Sequence, residues 1–124
     1  MATKSREHVV RRLRAAEARR AVVVAELAQT DGLIIGSLSE VQRRCGSPAC
    51  HCAARPGHPQ AILMSIADGR RRCQVVRQAD LATVRRAVER YRAFRKDLRR
   101  LSTLDAKIRA LLKALMRLRH EAYE

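Results

Sequence analysis

The chain has 124 residues, a length that suits one domain with a modest hydrophobic core. Its 27 basic and 12 acidic side chains give a formal net charge of +15. An excess of this size opposes folding by self-repulsion and attracts polyanions, so the composition favours contact with nucleic acid over a role without a charged partner.

The apolar segments are too short for a membrane protein. None approaches the roughly 18–20 apolar residues that cross a bilayer. The N-terminus lacks the apolar core of a signal peptide, because Arg20 and Glu26 enclose its short valine run. We therefore expect a cytoplasmic protein, in which thiols stay reduced and clustered cysteines act as metal ligands or redox groups rather than as disulfides.

The first segment, 1–31, is predicted to be helical over residues 5–29. Apolar residues recur at the three, four and seven spacing of a coiled-coil seam, at Val9, Leu13, Ala16, Val23 and Leu27. Arg20 interrupts this stripe, and an arginine is tolerated there if its stem packs and its head reaches water. Asp31-Gly32 is a typical helix stop.

The second segment, 32–79, has the composition of a small sheet. Residues 33–44 predict a strand or extended segment that leads into a group of cysteines. Residues 61–66 and 72–77 predict two strands joined by Ala67-Asp68-Gly69-Arg70, because Asp-Gly between apolar runs is a strong hairpin signal. An isolated hairpin is rarely stable, so a third strand or a metal clamp is expected beside it.

The third segment, 80–124, is predicted to be helical after an N-cap at Asp80. A possible break lies at Ser102–Asp105, which resembles a capping box. An apolar stripe at three and four spacing runs along it: Leu81, Val84, Val88, Tyr91, Phe94, Leu98, Leu101, Leu104, Ile108, Leu111, Leu115 and Leu118. Such narrow stripes suit helices that pair as an antiparallel hairpin or coiled coil, within one chain or between two copies. The predicted class is α+β, with a zinc-clasped hairpin or three-stranded sheet between long basic helices.

Three of the four cysteines, Cys45, Cys50 and Cys52, fall within eight residues. Gly46-Ser47-Pro48 supplies a turn that lets their side chains converge on one ion. Thiolates and imidazoles in a tetrahedral set suit Zn²⁺, while buried structural thiols or a redox pair are the alternatives. The residues leave the fourth ligand open between His58, six positions after the last of these cysteines, and Cys73 on the predicted hairpin.

The segment R-C-G-S-P-A-C-H-C-A, the following G-H-P and the basic hairpin D-G-R-R-R resemble an uncharacterised prokaryotic family. Its signature is R-C-G-x-P-x-C-x-C followed by G-H, and its members are often encoded near transposases. The resemblance covers roughly residues 36–112. It implies that Cys45, Cys50, Cys52 and His58 are the metal ligands and favours His58 over Cys73, which lies where other residues are usual in the family. Residues 59–61 depart from the family pattern, where a Gly-Pro-Tyr-like run is usual.

The cysteine group does not match a catalytic metal site. Three thiolates and one imidazole close the coordination sphere and leave no position for water. The chain also lacks the H-x-E of zinc deaminases, the H-E-x-x-H of metalloproteases, a phosphate-binding glycine loop and the carboxylates of two-metal nucleases. We therefore expect a structural Zn²⁺ and no enzymatic activity.

Residues 32–101 contain 15 basic and 5 acidic side chains, and so carry most of the net charge. The arginines predicted to contact nucleic acid are Arg43, Arg44, Arg55, Arg70, Arg71, Arg72, Arg85 and Arg92. The only aromatic residues are two tyrosines and one phenylalanine on predicted helices, so stacking on single strands is disfavoured.

Together these patterns predict a non-enzymatic, zinc-stabilised protein that binds double-stranded DNA, dimerises through its helices and assists a transposase or another protein of a mobile genetic element. The alternative from another class is a coiled-coil scaffold or oligomerisation module that does not bind nucleic acid itself.

Overall fold

A computed structural model describes residues 2–44, 46–50 and 57–124 of the chain. Its elements are helix α1 (Ala2–Gln29), strands β1 (Gly36–Arg43), β2 (His58–Ala67) and β3 (Arg70–Val76), and helix α2 (Leu81–Arg119). A short 3₁₀ helix, Gln78–Asp80, precedes α2. The fold is α+β, with a three-stranded antiparallel sheet between two helices in the chain, as the sequence predicts.

The chain forms two units, and their boundary lies inside α2. The first unit consists of Met1–Thr30 and Phe94–Glu124, and the second of Asp31–Ala93. Sequence patterns place a segment boundary near residue 80, where the sheet region ends. The structure differs because α2 is one continuous helix whose first part belongs with the sheet and whose remainder belongs with α1.

The first unit buries the apolar stripe that the sequence predicts for α1. Ala16 and Val23 are buried, as are Leu111 and Leu115 of α2. Arg20 stays exposed and donates from Nε to the carboxylate of Asp105 at 2.6 Å. The other members of the α1 stripe, Val9, Leu13 and Leu27, are half-buried.

The stripe predicted for α2 is wrong at one position, and the helix has no break. Leu98 is 46% exposed, and the neighbouring Asp97 takes the half-buried place in the stripe. At the predicted break, the hydroxyl of Thr103 donates to the carbonyl of Arg99 at 3.1 Å. The carboxylate of Asp105, which would complete the capping box with Ser102, instead accepts from Arg20, and the helix continues.

The sheet has the order β1-β2-β3, and both strand pairs are antiparallel. The turn between β2 and β3 consists of Asp68 and Gly69, whose φ angles of 52° and 73° are both positive. This is the backbone of a type I′ hairpin turn, which confirms the Asp-Gly prediction. Strand β1 is the third strand, and β2 begins three residues earlier than predicted, at His58.

The first part of α2 packs on one face of the sheet within the second unit. Ala61 and Leu63 of β2 are buried, together with Ala87 and Val88 of α2. The amide of Ile34 donates to the carbonyl of Ala87 at 3.1 Å, which ties the residues before β1 to the helix. Alternating side chains of β2 therefore supply the core of this unit.

The opposite face of the sheet is apolar and accessible. Its exposed apolar side chains are Met64, Ile66 and Val75, with exposed fractions of 49%, 54% and 56%. Directly paired residues of antiparallel strands project to the same face. The register therefore puts Cys73, opposite Met64, on this face as well.

Candidate metal centre and basic surfaces

The cysteine-rich segment leaves the sheet between two paired strand ends. Arg43, the last residue of β1, lies opposite His58, the first residue of β2. Antiparallel pairing therefore brings the two ends of the segment together, as in a long hairpin loop. The sequence predicts a cysteine-rich loop that ends near His58, but it does not predict the pairing of Arg43 with His58. The residues from His58 and Pro59 onward show no clear alternation of apolar and polar side chains, so the start of the strand was not recognised.

Two of the four predicted metal ligands lie side by side. Sγ of Cys50 is 3.1 Å from Nε2 of His58, in a partly buried contact. A tetrahedral Zn²⁺ with bonds of about 2.3 Å to sulfur and about 2.0–2.1 Å to nitrogen would separate these atoms by about 3.6 Å. The pair therefore needs to open by only about 0.5 Å to share an ion.

The remaining predicted ligands, Cys45 and Cys52, lie outside the described residues. Within the described ranges, no group of three or more His, Cys, Asp or Glu side chains is close enough to hold a metal ion. The described part of the site is therefore the Cys50–His58 pair.

Cys73 lies on β3, far from this pair along the sheet. It is exposed and pairs with Met64, which follows His58 by six residues on β2. At about 3.3 Å per strand residue, six residues correspond to about 20 Å. A side chain at that distance cannot share an ion with Cys50 without rearrangement of the sheet.

Gly57 is a residue of the site whose role sequence reasoning missed. Its φ is +119°, and a Cβ atom placed there would lie 2.4 Å from the carbonyl carbon of Arg43. Only glycine accepts both the backbone angle and the contact at low cost. Gly57 therefore lets the backbone of β2 approach that of β1 at the base of the cysteine segment.

Arg43 and Arg44 lie beside the candidate metal centre and are exposed. Among residues that the structure describes, neither has a carboxylate partner. Arg55, predicted to lie within the metal loop, is outside the described residues. The two described arginines therefore present uncompensated positive charge next to Cys50 and His58.

The arginines of the predicted basic hairpin, Arg70, Arg71 and Arg72, are the first three residues of β3. All three are exposed, and none pairs with a described carboxylate. Arg70 lies opposite Ala67, the last residue of β2, whereas Arg43 lies opposite the first. Nine strand residues at about 3.3 Å each separate the two arginine groups by about 30 Å. The basic hairpin is therefore at the far end of the sheet from the cysteine-rich segment.

Arg85 and Arg92 lie in a more balanced environment. Arg85 forms an ion pair with Glu40 of β1. Both arginines line a cleft of about 230 Å³ that also includes Glu40 and Glu89. Two carboxylates offset two guanidinium groups there, so the cleft offers a phosphate little net attraction.

Comparison of the chain with protein-family models, curated proteins and solved structures gives no match. In the described part of the chain, neither helix has an apolar stretch sufficient to span a membrane.

Proposed function

We propose that the chain is a non-enzymatic DNA-binding protein of the cytoplasm, stabilised by a structural Zn²⁺ at Cys45, Cys50, Cys52 and His58. The observation that carries the DNA-binding proposal is the exposure of five arginines on, or directly after, the strands of one small sheet. These are Arg43, Arg44, Arg70, Arg71 and Arg72, and none has a carboxylate partner among the described side chains. Unpaired arginines on a rigid sheet suit phosphate contacts, which fix a protein on a duplex without reading its sequence.

The proximity of Cys50 to His58 supports the metal part of the proposal. A thiol and an imidazole nitrogen 3.1 Å apart at the base of a loop are two suitable zinc ligands already in place. Zn²⁺ would join the loop to the strand ends that carry Arg43 and Arg44. A structural zinc contributes on the order of 10 kcal/mol of binding free energy, which is comparable to the stability of a whole domain.

The separation of the arginine groups suits a duplex. A distance of about 30 Å along the sheet approaches the length of one turn of B-DNA, about 34 Å. Phosphates one turn apart on the same strand lie on the same side of the duplex. The two groups can therefore contact one backbone at successive turns.

The dependence of DNA affinity on salt tests this proposal. Each phosphate contact contributes about −0.9 to the slope of log K against log salt, so five arginines predict a slope of about −4.5. We expect fluorescence anisotropy with a labelled duplex to give a slope at least this steep. No binding at low salt would disprove the DNA-binding function.

The resemblance of the cysteine segment to a family encoded near transposases supports a role beside a mobile genetic element. We propose a transposase or a related protein as the partner in that role. A pull-down of the transposase encoded nearest to the gene, with and without DNA, tests this association.

A second candidate function is self-association through the helices, without direct binding to nucleic acid. The specific observation is apolar surface on the first unit: Val22, Leu112 and Met116 are 58%, 47% and 65% exposed. Apolar side chains on an otherwise polar helix surface suit pairing with a second copy. Light scattering over a range of protein concentrations tests for the homodimer, and Leu112→Gln with Met116→Gln is expected to dissociate it.

A further inference from the structure

The first unit contains a cleft with an unusual charge. Its volume is about 480 Å³, and residues of both α1 and α2 line it. Four of its side chains are cationic: Arg19, Lys96, Arg99 and Arg100. Thr103 and Leu104 complete the lining, so no carboxylate is among the lining residues.

The charge of this cleft is mostly uncompensated. Arg100 lies 3.3 Å from the carboxylate of Asp97. Arg19, Lys96 and Arg99 have no carboxylate partner in the described ranges. Three cations that face one cleft repel one another, and an anion placed among them would relieve that repulsion.

Two further clefts that described residues line provide a comparison. The cleft beside β1 combines two arginines with two glutamates. A third cleft, on α1, combines three arginines with Glu7. Of these three clefts, the Arg19 cleft alone joins several cations from two helices without an acidic lining residue.

We propose that the Arg19 cleft is a second binding site for a phosphodiester backbone. This inference rests on the proposed function, since it takes DNA as the polyanion. Lys96 and Arg99 are three residues apart on α2 and therefore lie on one face of the helix, while Arg19 approaches from α1. Guanidinium forks bind phosphate oxygens in pairs, and the lysine adds a point charge. None of these residues is among the five arginines of the sheet region, which are Arg43, Arg44, Arg70, Arg71 and Arg72.

The test uses the full chain and a duplex of about 24 base pairs, which is long enough for several phosphate contacts. The cleft variant is Arg19→Gln/Lys96→Gln/Arg99→Gln. The matched control, Arg12→Gln/Lys113→Gln/Arg109→Gln, removes the same residue types from exposed positions of the same two helices. Circular dichroism establishes that both variants keep the helical content of the wild type.

We expect the cleft variant to lower the salt slope by about 2.7 and to weaken binding about 100-fold at about 0.15 M salt. The control is expected to lower the slope by less than about 1. Equal slopes for the two variants, with binding retained in the wild type, would refute the cleft and leave the proposed function standing. Absence of binding by the wild type would refute both. Loss of binding in the cleft variant alone, with Arg70→Gln/Arg71→Gln/Arg72→Gln unaffected, would support the cleft and refute the sheet surface.

Discussion

Sγ of Cys50 and Nε2 of His58 lie 3.1 Å apart, although seven residues separate them in the chain. The pairing of Arg43 with His58 anchors the histidine in the first position of β2. The thiol therefore meets a side chain whose backbone is fixed by strand hydrogen bonds. A rigid ligand of this kind reduces the entropy lost when a metal ion binds.

We expect the purified wild type to hold one Zn²⁺ per chain and Cys50→Ser to hold none. Removal of a thiolate would leave the proposed tetrahedral set incomplete, and a structural zinc would supply a large part of the folding free energy. Cys73→Ser is the matched control, since its thiol lies about 20 Å along the sheet from His58. Metal content measured by mass spectrometry, together with thermal unfolding, checks the prediction. A Cys50→Ser protein that keeps its zinc and unfolds cooperatively would contradict it.

Gly57→Ala is expected to destabilise the second unit by about 3 kcal/mol. The new methyl group would meet the carbonyl of Arg43, in addition to the strain of a positive φ. Gly69→Ala is the control, because its φ is also positive but nothing lies within 4 Å of the new Cβ. That change should cost only about 1 kcal/mol. Urea unfolding measures both, and equal losses would show that the close approach has no energetic weight.

Shortening the duplex is expected to reduce the salt slope in one step. The two arginine groups are about 30 Å apart along the sheet, which corresponds to about 9 base pairs at 3.4 Å each. A duplex of about 6 base pairs can therefore meet only one group, and about 12 base pairs suffice for both. When the duplex is shortened from about 12 to about 6 base pairs, we expect the part of the salt slope that the sheet arginines contribute to fall by about half. A slope that is the same for both duplexes would mean that the two groups do not act on one DNA molecule.

Arg71→Gln should weaken DNA binding about fivefold at about 0.15 M salt, whereas Arg85→Gln should weaken it less than twofold. Both changes remove one positive charge, but only Arg85 already has a carboxylate partner, Glu40. A phosphate would have to displace that carboxylate, so little is gained from the contact. Anisotropy titrations of the two variants in parallel provide the comparison. A larger loss for Arg85→Gln would place the contact surface on α2 instead of β3.

Much of the fold could be predicted from local sequence patterns. The α1 stripe follows from apolar spacing, and the type I′ turn follows from Asp68-Gly69, because these features depend on neighbours in the chain. The hairpin and the two long helices were predicted for the same reason. Leu98 was misplaced because local spacing does not reveal which side of a long helix faces its partner, and Asp97 took its place.

The sequence by itself determined the chemistry of this protein: a strong positive charge, a cysteine group suited to zinc, and two helices on either side of a hairpin. Tertiary structure decided which of these groups meet. Strand register brings His58 to Cys50 and separates Cys73 from them, and it places the arginines of β3 at the opposite end of the sheet from Arg43. The close fit of Gly57 and the cationic cleft at Arg19 likewise depend on contacts between residues distant in the chain. Spacing along one segment carries no information about such contacts, because they arise only when separate elements pack together.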